Sequence, residues 1–301
     1  MTTLPDPALL DAVRRHADLH ADRYGVAGTP IPGLSTVQAL APGDIVHAIY
    51  RPLVAIVVQG AKRVTIGAET FAFSAGDSLL VTADVPTISQ IVRASAAAPY
   101  YSLVLELDPA VIADLGAATG PEPAGDHVAA RVDVTDAEVA DAATRLLRLI
   151  DRPAALPVLQ GQLVREMHYW LLAGRHGAAI RRLAWPDGHV QRIARAVSVL
   201  RADYAAAVPV ERLAAVAGMS ASAFHQHFRA VTSLSPLQFQ KQLRLIEARR
   251  LMLADGRSAG SAAYAVGYES VPQFTREYGR FFGRPPLRDV KAARERAPEA
   301  A

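Results

Sequence analysis

The sequence predicts an α+β protein of two domains: an N-terminal β-barrel with flanking helices, then an all-α domain holding two helix-turn-helix motifs. Three observations carry this. Residues 34–107 consist of short β-branched runs separated by glycine-containing turns. The later sequence takes the three-and-four spacing of amphipathic helices. Near the C-terminus one pattern of short helix, tight turn and second helix occurs twice. A length of 301 residues is enough for two cores of ordinary size.

In chain order, residues 7–24 (PALLDAVRRHADLHADRY) are helix-compatible, with Leu9, Leu10, Val13 and Leu19 forming an incomplete apolar stripe. The β-textured region follows, with "IVHAIY", "LVAIVVQ", "KRVTI", "SLLVT", "TISQIV" and "YYSLVLEL" set between Gly43-Asp44, Gly60, Gly67 and Gly76-Asp77. Short strands at near-regular spacing suit a sandwich or small barrel. "GAATGPEPAGDH" ends the region, because two prolines and three glycines break regular structure. Helical spacing resumes in "DAEVADAATRLLRLI" and "LPVLQGQLVREMHYWLLAG", where Leu159, Leu163, Met167 and Trp170 or Leu171 repeat three and four apart. This second helix is either core or a dimerisation surface. "WPDG" at 185–188 reads as a linker, so the expected domains are 1–180, 187–290 and a disordered tail at 291–301.

Charge divides at the same place. From Val190 onward there are 17 Lys/Arg against 9 Asp/Glu, whereas the first 189 residues hold 15 against 20. A basic half on an acidic half points to a polyanionic partner for the C-terminal part alone. There is no cysteine, which excludes disulfides, thiolate chemistry and Cys-based zinc sites. Asp6, Asp11, Arg14 and Arg15 interrupt the apolar core a signal peptide needs, and no apolar run reaches the ~18 residues that span a bilayer. A soluble, cytoplasmic, nucleoid-associated protein with no membrane partner is expected.

The stretch "GMSASAFHQHF" raises the question of a metal site. On a helix His225 and His227 lie ~200° apart and cannot share an ion. Phe224, Phe228 and Val231 make the buried stripe instead. With "VPVERLAAVAG" before it, Gly218 at the turn and Ser220 as N-cap, the segment is a helix-turn-helix. "SAAYAVGYESVPQFTREYGRFFG" repeats it, with Gly267 at the turn, Ser270 as cap, Pro272 in the first turn, and Phe274, Tyr278 and Phe281 as stripe. Between them "SPLQFQKQLRLIEARRLMLADG" reads as one helix of about 18 residues, ~27 Å long. That is a suitable strut for reading helices in successive major grooves, ~34 Å apart.

Residues 187–290 resemble the DNA-binding domain of the AraC/XylS family of bacterial transcription regulators, through "LAAVAGMSASAFHQHFRAVTSLSP", "RLIEARRLML" and "VGYESVPQFTREYGRFFGRPP" in order and spacing. One departure is "TSLSP", where the family usually has glycine at the position of Ser233 or Leu234; an altered turn is expected. Residues 25–115 resemble the cupin-like N-terminal domain of one subgroup of those regulators, through "IPGLSTVQALAP", "YRPLVAIVVQGAKRV", "DVPTISQIV" and "LELDPAVIADL".

The resemblance implies that the first reading helix aims Ser222, His225 and Gln226 at the major groove, with Arg229 near a phosphate. Gln pairs bidentately with adenine and Arg with guanine or phosphate, which agrees. In the second helix the matching residues are Gln273, Thr275 and Arg276, with Arg280 on the backbone; Val271 and Pro272 replace polar readers. The alternative for each is a solvated polar face. His227 is assigned to packing or solvent, and Glu247 and Arg250 to surface charge. The implied partners are double-stranded operator DNA, a small-molecule effector, RNA polymerase and a second copy of the chain.

Catalytic cupin relatives bind metal through several histidines, yet residues 34–107 hold a single histidine, His47, and only the glutamates Glu69 and Glu106. His16 and His20 are spaced as a helical metal pair but have no third ligand in view. No catalytic residue, metal or cofactor is expected. Effector candidates are Tyr50, Arg51, Gln59 and Lys62, the lysine being either a Schiff-base former or, more ordinarily, a solvated strand-end charge. The expected function is an effector-responsive, sequence-specific DNA-binding regulator. The alternatives are a regulator whose N-terminal domain only dimerises, and a metal-dependent enzyme with a DNA-binding tail.

Overall fold

The computed structural model describes residues 6–117, 128–185 and 188–296. The Pro/Gly-rich stretch at 118–127 and Pro186-Asp187 of the expected linker lie outside the described residues. By contacts the chain divides into two compact units. One contains residues up to Gln191 without His47–Ile49; the other contains those three residues and everything from Arg192.

The first unit opens with α1 (Pro7–His20), whose cap Asp6 accepts a hydrogen bond from the Ala8 amide at 2.8 Å. Leu9, Ala12, Val13 and Ala17 form its buried stripe, whereas Leu19 is exposed. Among the described residues ten strands follow: β1 (Val26–Gly28), β2 (Leu34–Ala39), β3 (Val46–Tyr50), β4 (Leu53–Gln59), β5 (Ala61–Ile66), β6 (Glu69–Ser74), β7 (Asp77–Val81), β8 (Val85–Arg93), β9 (Tyr100–Glu106) and β10 (Ala130–Val134). They do not form one closed barrel. A six-stranded sheet runs β1-β2-β9-β4-β7-β10 and a four-stranded sheet β3-β8-β5-β6, an antiparallel arrangement compatible with a cupin-like jelly roll.

The reason lies in two turns. Gly60 (φ 85°) passes the chain from β4 in the larger sheet to β5 in the smaller, and Gly76 (φ 92°) returns it from β6 to β7. The strands on either side of each of these turns therefore sit in different sheets. At Gly60 an added Cβ would lie 2.5 Å from the Arg93 carbonyl oxygen, so the turn requires glycine by space as well as by conformation.

"LVAIVVQ" is apolar without alternation because β4 is central, with both faces covered; six of its seven residues are buried. Val54, Ile56 and Val58 face a core shared with α1 and four later helices: α2 (Pro109–Ala117), α3 (Ala137–Ile150), α4 (Leu156–Ala173) and α5 (Gly177–Ala184). Arg145 of α3 grips Glu166 of α4 through both terminal guanidinium nitrogens, at 2.9 and 2.7 Å. His168 is buried with both ring nitrogens occupied: Nε2 accepts from the Asp108 amide at 2.9 Å, which leaves Nδ1 to donate to the Val164 carbonyl at 2.8 Å. Burial, the largest influence, holds its pKa below the ordinary histidine value. α4 sends Met167, Leu171 and Leu172 inward and leaves Val158, Leu159 and Tyr169 exposed.

The second unit is all helix: α6 (His189–Ala202), α7 (Val210–Val216), α8 (Ala221–Thr232), α9 (Pro236–Leu253), α10 (Ala259–Ala265), α11 (Val271–Phe282) and α12 (Pro286–Arg296). The expectation of disorder from residue 291 fails for its first six residues, because α12 continues to Arg296. Its anchor is Asp289, buried and accepting hydrogen bonds from Arg249 Nε and Tyr278 Oη, both at 2.7 Å. The strut helix α9 has the expected 18 residues and begins in a full capping box between Ser235 and Gln238.

Candidate nucleic-acid interface and effector cluster

Both helix-turn-helix copies are built from the same local rules. Gly218 (φ 60°) and Gly267 (φ 86°) make the left-handed turns after α7 and α10. Ser220 and Ser270 then cap α8 and α11, accepting from the amides of Ala223 and Gln273. Phe224, Phe228 and Val231 bury one side of α8, as Phe274 and Tyr278 bury one side of α11.

This fixes what points outward. Ser222, His225, Gln226 and Arg229, at i, i+3, i+4 and i+7, are all exposed and share one face of α8. On α11, Gln273, Arg276 and Arg280 are exposed on one face, with Pro272 beside them; Thr275 is half-buried and off-centre. Val271 packs on the core of its unit, so of the two apolar replacements only Pro272 is presented. His227 is half-buried, and Arg250 pairs with Glu247 at 2.7 Å, as a surface pair would.

Two groups were not legible in advance. Glu277 accepts from Gln273 Nε2 at 3.2 Å, Lys241 Nζ at 3.2 Å and Tyr268 Oη at 2.9 Å, tying the second reading helix to α9 and to its own turn. Burial opposes its charge, but these hydrogen bonds and the lysine hold its pKa below the ordinary carboxylate value. Arg244 of α9 donates to the carbonyls of Tyr204, Ala205, Ala206 and Gly267 at 2.7–3.1 Å, joining the loop before α7 to the turn of the second motif. Nothing in the sequence signals either cluster, since the partners are remote in the chain and in Arg244's case are backbone oxygens.

In the first unit the four effector candidates separate. Lys62 Nζ lies 3.3 Å from Tyr50 Oη, which in turn donates to Ser89 Oγ at 3.3 Å. Arg51 instead faces solvent beside Glu106, at 3.5 Å, and Gln59 spends its amide on the Pro99 carbonyl at 2.7 Å. Lys62 is not a solvated strand-end charge: it is half-buried, among inward-facing groups of the smaller sheet. Burial opposes its charge, yet the Tyr50 and Tyr100 oxygens raise its pKa above the ordinary lysine value. On α1, His16 Nδ1 is engaged by Thr36 Oγ1 at 2.9 Å, and no group of three metal-ligating side chains occurs among the described residues.

Residues 30–179 match the family described as AraC-type transcriptional regulator N-terminus, and residues 213–291 match the helix-turn-helix domain family. The chain belongs to the AraC family of transcriptional regulators. Among curated relatives, this AraC-family chain is 59% identical to the HTH-type transcriptional regulator YneL of Escherichia coli over 39 residues, covering 13% of this chain and 66% of YneL. It is 31% identical to the HTH-type transcriptional activator RclR of the same species over 128 residues, 42% of this chain and 39% of RclR. It thus spans less than two thirds of either relative. Among solved structures, ToxT from Vibrio cholerae shares the fold at a TM-score of 0.57 with 9% identity, over 85% of this chain and 98% of that one. A ToxT structure with bound unsaturated fatty acid matches at 0.54 with 7% identity, over 85% and 94%.

Proposed function

We propose that this chain is a sequence-specific DNA-binding regulator of promoters, that α8 and α11 read the operator, and that the N-terminal unit binds a small-molecule effector. The observation that carries the DNA reading is the pair of serine-capped helices, each showing solvent one face of base-reading and phosphate-binding side chains in the basic half of the chain. Ser222, His225, Gln226, Gln273 and Arg276 act at base edges, with Thr275 peripheral and Arg229 and Arg280 on phosphates. Effector binding favours one arrangement of the dimeric protein on paired DNA sites. The exposed Val158, Leu159 and Tyr169 on α4 support dimerisation through that helix. RNA polymerase is the partner the family implies, and a cytoplasmic, nucleoid-bound location follows from the operator; no helix among the described residues is long and apolar enough to cross a membrane.

Support for the effector comes from the fatty acid held by ToxT on the same fold and from the buried polar groups around Lys62. The rival, an N-terminal unit that only dimerises, predicts no ligand-dependent rise in Tm across a metabolite screen, whereas a bound effector raises Tm by mass action. For the DNA reading the test is selection of an operator followed by Gln226→Ala and Arg276→Ala. Each lost bidentate contact weakens binding by about 1–3 kcal/mol, roughly 5- to 150-fold. Unchanged affinity in both variants would remove these residues from the interface.

A further inference from the structure

Each helix-turn-helix motif is gripped at its turn by one arginine from the helix that precedes it. Arg192 of α6 donates through Nε to the Ala217 carbonyl at 2.6 Å and through Nη2 to the Gly218 carbonyl, between α7 and α8. Arg244 of α9 donates through Nη1 to the Gly267 carbonyl at 3.0 Å, between α10 and α11. Arginine and glycine lie 26 positions apart in the first pair and 23 in the second, so the grip recurs with the motif. Both arginines are half-buried and neither sits on a reading helix.

The chemistry of a turn explains the choice of residue. The last carbonyls of a helix carry partial negative charge, and a guanidinium offers five N–H donors in a rigid fork that can hold two such oxygens at once. From the gripped glycine to the serine cap is two residues in the first motif and three in the second, so fixing that carbonyl fixes where the reading helix begins. Arg244 has a further hold. Its Nε and Nη2 donate to the carbonyls of Tyr204, Ala205 and Ala206, the loop that leads into α7, at 2.7–3.1 Å. Gln240 of the same helix adds bonds to the Tyr204 and Ala206 carbonyls at 3.1 and 2.7 Å. One guanidinium thus ties the entry of the first motif to the turn of the second.

We propose that Arg192 and Arg244 are positioning residues for operator recognition: Arg192 fixes the start of α8, and Arg244 fixes the offset between the two motifs. The inference rests on the DNA reading and adds residues that act through the readers. A bidentate base contact tolerates little misplacement, whereas attraction to phosphates follows charge and tolerates a great deal. A loosened turn therefore removes sequence discrimination and leaves non-specific affinity in place. Loosening at Arg192 affects one operator element; loosening at Arg244 affects the spacing between elements.

The test substitutes lysine, which keeps the charge and loses the fork. Fluorescence anisotropy of the full chain at one salt concentration gives affinities for the selected operator and for random-sequence DNA. It also covers operators with either element scrambled or with one base pair inserted between the elements. In Arg192→Lys, operator affinity is expected to fall about tenfold while random-DNA affinity stays within about twofold of the parent. Scrambling the element to which Gln226→Ala is sensitive then costs this variant roughly threefold less than it costs the parent, and scrambling the other element costs both the same. In Arg244→Lys, the penalty for the inserted base pair is expected to shrink by roughly threefold or more. Partial unfolding lowers operator and random-DNA affinity in the same proportion, so their ratio separates positioning from folding. Arg192→Gln and Arg244→Gln, which keep planar amide donors, serve if a lysine variant does not fold. Operator and random-DNA affinity falling in step, or penalties equal to the parent's in both variants, would overturn the proposal. Losses in Gln226→Ala and Arg276→Ala with an unchanged ratio in the lysine variants would end the positioning inference alone. No loss in any of the four would take down the DNA reading with it.

Discussion

The two helix-turn-helix copies share turn glycine, serine cap and aromatic stripe, yet are secured differently. The reading helix of the first copy closes on apolar contact, Phe224 tilted against Phe228 and Phe228 edge-on to Phe239 of the strut helix at 5.7 Å, while Arg192 of α6 donates to the Ala217 and Gly218 carbonyls of its turn. The second adds polar anchors, with Asp289 joining Arg249 to Tyr278, and Glu277 joining Lys241, Tyr268 and Gln273. The exposed face of α8 is therefore clear for DNA, while one prospective reader on α11 is already hydrogen-bonded within the protein. The two motifs share one backbone grammar and differ in how each helix is held.

The largest effect that separates the copies is expected at Asp289. Asp289→Ala leaves the Arg249 guanidinium and Tyr278 hydroxyl without their shared acceptor, a loss of about 3 kcal/mol, reduced from the fully buried case because Arg249 keeps some solvent. Urea melts of the full chain check it. Burial raises the Asp289 pKa, but Arg249, Tyr278 and Arg284 lower it further, so its folded value lies below the ordinary aspartate range. Its contribution is then complete at neutral pH and fades as pH falls through that depressed value. The stability gap between the parent and Asp289→Asn should narrow on acidification; a gap independent of pH would mean that the carboxylate charge is not what stabilises α12.

Next come the turn glycines. Alanine at either position adopts a left-handed conformation, costing about 1–2 kcal/mol. At Gly267 the new Cβ would also overlap the Ala205 carbonyl oxygen, whereas at Gly218 its nearest neighbour is the Arg192 guanidinium at 3.2 Å. Gly267→Ala is expected to cost about 3 kcal/mol and Gly218→Ala about 1 kcal/mol. Equal costs would mean that the loop at Tyr204–Ala206 yields, and that Arg244 does not hold it rigidly.

On DNA the asymmetry reverses. Gln226→Ala should weaken operator binding about tenfold, and Gln273→Ala about threefold or less, since Gln273 must first give up Glu277. Fluorescence anisotropy at fixed salt measures both. A larger loss at Gln273 would show that the Glu277 contact orients the amide for reading rather than competing for it.

The same comparison shows what is legible in a sequence. Caps, turns and stripes depend on residues within about four positions, so both motifs and the bounds of α9 are readable. β10 is not, because "ARVDV" becomes a strand only by pairing with β7, some fifty positions earlier in the chain. The effector candidates show the limit most sharply. Tyr50 and Arg51 are adjacent and equally plausible by type, but Tyr50 ends β3 and meets Lys62, whereas Arg51 falls in the connection to β4 and lies beside Glu106. That the cupin-like barrel takes the form of two sheets has a related cause: which sheet a strand enters after Gly60 or Gly76 is decided by remote pairing.

The smallest effect concerns the unusual turn after α8. Ser233 is the only non-glycine described residue with positive φ, 61°, and stands where α11 has Gly283 at 76°. The altered turn expected from "TSLSP" is thus a left-handed helix end made without glycine, with Thr232 Oγ1 bridging its two sides, donating to the Phe228 carbonyl at 2.7 Å and accepting from the Leu234 amide at 3.3 Å. Ser233→Gly relieves the side-chain strain and partly offsets it by loosening the unfolded chain, for a net gain of about 0.5–1 kcal/mol. The rise in Tm should come with unchanged operator affinity, because α8 keeps its cap and its exposed face. A fall in Tm would show that the Thr232 bridges already remove the strain and that the first motif is secured at its end by this hydroxyl, narrowing the contrast with the polar anchors of the second.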